Sequence, residues 1–175
     1  MPTIIQIQHQ ALTAALAQLV DRIEHPGPFY AAVGEDMTDR IKQRFAAATG
    51  PDGVRWKANT RVTIMNYLKN RGAFSGKTGK ILAKGQLLAA SKRPLQGVTN
   101  DLARQIFSQS SDSEVTVGSN MIYAAMMQYG GTRAQFPNLW GDIPGRQFMP
   151  ITLTGELYQN EADLIVDQLR EYLTS

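Results

Sequence analysis

Leu12, Ala15, Leu16, Leu19, Val20 and Ile23 recur at helical intervals, with Gln18, Asp21 and Arg22 on other faces. That period predicts an amphipathic N-terminal helix. His25-Pro26-Gly27-Pro28 ends it, because proline cannot continue the backbone ladder and glycine tolerates the turn. A second stripe follows, formed by Phe29, Val33, Met37, Ile41, Phe45 and Ala48, and predicts a longer helix with Pro28 in its first turn. Its acids, Glu35, Asp36 and Asp39, precede its bases, Arg40, Lys42 and Arg44, the order that suits the helix macrodipole.

Thr49-Gly50-Pro51-Asp52-Gly53 carries turn chemistry and leads into Trp56. A short helix is expected around Thr60–Asn70, with Val62, Met65 and Leu68 on one side, and the glycine-rich stretch 71–80 reads as a flexible loop. Beyond it the period changes. Leu87–Ser91 and Leu102–Gln109 read as strands, and Glu114-Val115-Thr116-Val117-Gly118 alternates as a half-buried strand should. Met121–Tyr129 reads as a short apolar helix closed by Gly130-Gly131, and 132–146 as a loop. A last strand over Gln147–Ile151 is expected to lead into a C-terminal helix presenting Leu157, Leu164, Ile165, Leu169 and Tyr172. No internal repeat is visible. The expectation is one domain over 1–175, with the N-terminal helix (1–26) peripheral and a flexible basic loop over 57–86.

Composition narrows the chemistry. The 175 residues include no cysteine and two histidines, His9 and His25, which removes disulfides, thiol nucleophiles and Cys-ligated metals and leaves little for a histidine-based triad. No metal or cofactor site is expected, and no catalytic residue is assigned. Asp36 and Asp39 read as surface ion-pair formers, and His25 as a capping residue. Gly76-Lys77-Thr78 ends like a phosphate-binding loop, but Arg71 stands where that motif needs glycine. No apolar run reaches the roughly 18 residues of a membrane span, and the first residues lack a basic, apolar leader pattern. A cytoplasmic site of action is therefore expected.

Charge changes the picture more. The formal net charge is +3, yet residues 53–100 hold ten basic side chains and no acidic one, between acidic flanks. Lys69, Arg71, Lys77, Lys80 and Lys84 are the candidate contacts for an acidic partner or for nucleic-acid phosphates. Trp56, Tyr67 and Phe74 are interleaved with these bases, as in some single-strand binders, but no helix-turn-helix, RRM or KH signature accompanies them. The Met- and Tyr-rich helix is apolar all round, which fits core packing or an oligomer interface, with Tyr123 and Met127 as candidates.

The order of motifs resembles the phage virion morphogenesis (tail completion) family of contractile-tailed, Mu-like phages. The resemblance rests on Ile41-x-x-Arg44-Phe45, Pro51-Asp52-Gly53-x-x-Trp56, a basic glycine-containing loop and Val115-x-Val117-Gly118. It continues with Tyr123-Ala124-x-x-x-Gln128-x-Gly130 and Ile143-Pro144-x-Arg146-x-Phe148. The segment between Leu87-Leu88 and Val115 is longer than the family pattern, and Gly76-x-x-Gly79 with Gly85-Gln86-Leu87 stands where a Thr-Gly-x-Leu step is usual. The resemblance implies an α+β fold, with a small antiparallel sheet and a long helix packed on it, joined here to N- and C-terminal helices and a long basic central loop. It implies a non-enzymatic protein that completes the tail or joins it to the head, works as a ring-forming homo-oligomer, contacts other tail and neck proteins and needs no membrane. It places the protein in the virion neck, after assembly in the host cytoplasm, where a basic loop lining a ring lumen would meet DNA. Arg146, suited to bidentate pairing with a carboxylate, and Phe148 join the candidate interface. A nucleic-acid-binding module using 53–100 is the alternative reading.

Overall fold

The computed structural model describes residues 9–97, 99–139 and 141–175. Helix α1 (Gln10–Glu24) precedes α2 (Gly27–Ala47), and the expected stripe of α2 is its buried face: Phe29, Val33, Met37, Ile41 and Phe45 all lie inside. That face packs on an antiparallel hairpin of β1 (Ile106–Ser110) and β2 (Val115–Ser119), in register from Ile106 opposite Ser119 to Ser110 opposite Val115. Gly34 permits the close approach, since a Cβ there would sit 2.8 Å from Val115 Cγ2 and 3.0 Å from Ser108 Cβ. Trp56, Leu102, Ile106 and Phe148 complete the core. The Phe45 ring meets Trp56 edge-on at 5.5 Å and Phe148 at 5.2 Å, spacings typical of favourable aromatic pairs.

The basic segment is not one continuous loop. It contains α3 (Arg61–Lys69), started by the Thr60 hydroxyl accepting from the Thr63 amide at 3.2 Å, and it runs into α4 (Ala83–Ser91). Between them the chain folds back, with Phe74 bridged to Ile81 and the Ser75 amide donating to Lys80 O at 2.9 Å. A small satellite core of Leu68 and Ala73 holds the two helices together. The strand expected over Leu87–Ser91 is therefore helical. Its Leu-Leu-Ala-Ala run contains strong helix formers and no β-branched residue, and the backbone of Gly85 tucks against Ala73.

The strand expected over Leu102–Gln109 begins late, because its first residues form the single turn α5 (Asp101–Arg104). Helix α6 (Ala124–Tyr129) leads directly into β3 (Gly130–Gly131), which pairs with β4 (Ile143–Pro144). The expected strand over Gln147–Ile151 does not form a ladder, for a reason given below. Helix α7 (Gln159–Thr174) packs against both α1 and α2. The result is the expected α+β arrangement, with a small antiparallel sheet under a long helix.

Candidate interaction site

Motif residues from the turn after α2, from α6 and from the segment after β4 converge on one interior junction. At the Pro51-Asp52-Gly53 turn, Asp52 Oδ1 accepts from the Val54 amide at 3.0 Å and Gly53 takes φ +75°, so Thr49 and Arg55 pair across it. This delivers Trp56 into the core, where its indole N–H donates to Gln147 O at 2.9 Å. Gln128 is buried between α6 and the segment that follows β4. Its Oε1 accepts from the Phe148 amide at 2.8 Å and the Met149 amide at 3.0 Å, while Nε2 reaches Ile151 O at 3.4 Å. One side chain thus replaces the neighbouring strand that 147–151 would otherwise need, since buried backbone donors require a partner.

Glycines set the approach of the two β3–β4 segments. Gly130 has φ +77°, and a Cβ there would lie 2.5 Å from the Gly145 amide nitrogen. A Cβ on Gly145 would lie 2.7 Å from Tyr129 O. The neighbouring Arg146 is buried, and its guanidinium donates to Lys57 O at 2.9 Å and Ala58 O at 3.3 Å. Burial pulls its pKa below the ordinary arginine value. Arg146 therefore fastens the chain after Trp56 to β4 through carbonyl oxygens, not through a carboxylate. Phe148 is wholly buried and packs this chain's own core.

The arginines that reach the C-terminal helix are Arg44 and Arg40. Glu161, 2% exposed, accepts from Arg44 through Oε1 and from Arg40 Nε through Oε2 at 3.2 Å. Arg44 also donates to Phe148 O at 2.9 Å, and Arg40 pairs with Asp36, which accepts in turn from Gln168 at 2.5 Å. Burial lowers the Arg44 pKa, opposed by the attraction of Glu161. Sequence reading missed this cluster. Arg44 stands within a motif, but nothing in the chain's periodicity pairs it with a carboxylate so distant in sequence.

The other candidates lie outward. Tyr123 and Met127 line a cleft of about 300 Å³ with Lys92, Leu95, Asp142 and the Arg146 side chain. Burial, and secondarily the Asp101 carboxylate, push the Tyr123 phenol above its ordinary pKa. Lys69, Lys77, Lys80 and Lys84 are exposed along the α3–turn–α4 hairpin, while Arg71 is half-buried with its guanidinium 5.3 Å over the Tyr67 ring. Lys92 meets the same ring at 5.2 Å, and burial, then the nearby Arg71, lower its pKa. Among the described residues, none of the cations of 53–100 lies within ion-pair distance of a carboxylate.

This basic hairpin is fastened to one end of α2: Arg93 donates to Ala46 O, and Gln96 Nε2 to Phe45 O at 3.0 Å. Glu35, Asp36 and Asp39, around the middle of α2, form an acidic face with Glu171 of α7, Asp36 being paired with Arg40 and Asp39 with Lys42. Charge is therefore separated along the long helix. No group of three or more His, Asp or Glu side chains able to hold a metal occurs among the described residues, and no described helix is long and apolar enough to cross a membrane.

No curated protein and no solved structure matches the chain. A sequence model of the phage virion morphogenesis family matches residues 7–174, through the last residue of α7. With that match spanning nearly its whole length, the chain belongs to the phage virion morphogenesis family.

Proposed function

We propose that this protein completes the phage tail or joins it to the head, as a homo-oligomeric ring acting through protein–protein contacts. Family membership supports a role in virion assembly. The observation that carries the finer reading is the separation of charge along α2. Unpaired cations cluster on the α3–α4 hairpin, and carboxylates cluster on the α2–α7 face. A surface whose two ends are complementary favours head-to-tail contact between identical subunits, and such contacts close into rings when the rotation permits. Residues 1–175 act as one unit in this reading.

Charge exchange tests it. Lys77→Glu with Lys80→Glu should abolish self-association in native mass spectrometry, and so should Glu35→Lys with Asp39→Lys. Mixing the two variants should restore a mixed complex. An oligomer unmoved by either pair, or by salt near 1 M, where the screening length falls to about 3 Å, would sink the electrostatic reading. Localisation by cryo-EM in intact particles tests the place of action: particles lacking the protein should hold tails that form but fail to attach.

A second reading rests on the same unpaired cations. Lys69, Arg71, Lys77, Lys80 and Lys84 also suit DNA phosphates, as at a ring lumen. It predicts binding to duplex DNA that falls steeply with salt and disappears when these side chains are neutralised. No binding at low salt removes it.

A further inference from the structure

Helix α1 is amphipathic, yet none of its residues is buried. Leu12, Leu16, Val20 and Ile23 are each more than half exposed, so its apolar stripe faces solvent. The chain's own α1 is held by its other side and its end. Leu19 is its only half-buried apolar residue, and the Tyr172 hydroxyl of α7 donates to Arg22 O at 3.4 Å and to His25 O at 3.0 Å. Elsewhere on the molecule an apolar groove of about 480 Å³ opens between α2, β2 and α7. Its walls include Val33, Met37, Val117, Met149, Leu157 and Ile165, and no described segment of the chain fills it.

We propose that α1 of one subunit lies with its apolar stripe in this groove on a second copy of the chain. The inference rests on the homo-oligomer reading above and names the elements that make the contact. Dimensions agree. From Leu12 to Ile23 the stripe runs about 16 Å at 1.5 Å per residue, and the α2 wall from Phe29 to Met37 runs about 12 Å. Thr13, Ala15 and Leu19, which flank the stripe, carry no charge that burial would have to desolvate, and the one flanking charge, Glu24, lies at the end of the helix. Pro26-Gly27-Pro28 separates α1 from α2, so the helix is joined to the body through a short turn of the kind that supports exchange between subunits.

The area is also adequate. A 15-residue helix is about 22 Å long and, with side chains, about 10 Å wide, so laying it in a groove buries roughly 500 Å² on each side. Each subunit offers one helix and one groove. A head-to-tail interface holds one helix in one groove and so buries about 1,000 Å² in total, the size at which a specific interface begins. The contact is helix-in-groove recognition, with anchors at helical spacing.

The absence of cysteine makes the test clean. One chain carries Leu16→Cys and another carries Leu157→Cys, and the two are mixed and treated with a short bis-maleimide. The expected product is a cross-linked pair containing one of each chain, in large excess over like pairs, and Leu16→Glu in a non-cross-linked chain should reduce oligomer affinity at least tenfold. A dominant pair of two Leu16→Cys chains overturns the proposal in favour of α1–α1 pairing. A concentration-independent cross-link within a chain carrying both cysteines overturns it in favour of the helix folding back on its own groove. If no cross-link forms and Leu16→Glu leaves the oligomer intact, the oligomer reading stands and this contact falls. If no cross-link forms and the unmodified protein is monomeric, both fall.

Discussion

Glu161 is the most informative single position, because one buried carboxylate serves two arginines. It occupies the third position of α7, where the amide ends of the helix also favour negative charge. In Glu161→Gln the shape remains, but Arg44, whose side chain is only 8% exposed, loses its charged partner and is left with neutral acceptors, Phe148 O and one amide oxygen. Arg40 suffers less, since Asp36 still faces it. Removing one partner of a buried pair costs about 3–5 kcal/mol, chiefly for the charge left behind. The retained hydrogen bond and the second carboxylate point to the lower end, about 3 kcal/mol.

Urea unfolding followed by tryptophan fluorescence reads this directly. The midpoint should fall with the slope unchanged, because the surface exposed on unfolding is the same. Asp167→Asn is the control: it breaks the exposed pair with Arg170 at 2.7 Å, an exposed ion pair worth under about 1 kcal/mol. Joint replacement by Arg44→Met and Glu161→Leu should recover much of the loss, since apolar residues of similar volume leave no orphaned charge at Arg44. A cost for Glu161→Gln within about 1 kcal/mol, the range of an exposed pair, would refute the reasoning and mean that water reaches the cluster.

Gln128→Ala leaves the Phe148 and Met149 amides without their acceptor, so a loss of roughly 2–6 kcal/mol is expected, about 1–3 for each orphaned group; hydrogen exchange should accelerate first at those two amides. Gly130→Ala should be far worse than Gly53→Ala, since both positions have positive φ but only Gly130 faces backbone at 2.5 Å. Gly53→Ala is expected to cost only the left-handed penalty of about 1–2 kcal/mol, and thermal melts of the two variants compare them. The Tyr123 and Tyr158 phenols are both pushed above the ordinary value of 10.0, chiefly by burial. The folded state therefore holds their protons where the unfolded chain releases them, and stability falls as pH rises through that value. Absorbance titration at alkaline pH should show Tyr158→Phe removing a late-titrating phenol.

The long helix was legible because its stripe repeats over five turns of Phe29, Val33, Met37, Ile41 and Phe45, and one face had nowhere to go but inward. The β2 strand was legible from simple alternation. The strand expected over Leu87–Ser91 is a helix because a short apolar run has no period that separates the two, while its Leu-Leu-Ala-Ala propensity and the contact of Gly85 with Ala73 both favour the helix. Strand Gln147–Ile151 was misread for a different reason: its amides are satisfied by the Gln128 side chain, a partner no local period announces. For the candidate site, the exposed lysines were visible as charge, while Arg146 and Phe148 were visible as motif positions whose burial depends on a junction assembled from four separate segments.

The division between these two sets of residues carries a consequence for function. Trp56, Gln128, Gly130, Gly145, Arg146 and Phe148 tie the turn after α2 to the segment before α7, so these residues serve the fold. On the function proposed above, partners are selected outside that junction, by the cations of the α3–α4 hairpin, the carboxylates of α2 and α7, and the stripe of α1. The two classes should separate on substitution. Changes at the junction lower stability and remove assembly together, whereas Lys77→Glu or Leu16→Glu leaves the melting temperature nearly unchanged, as exposed positions without partners usually do, while self-association is lost. A variant of either exposed kind that unfolds the protein would show that these surfaces belong to the fold after all.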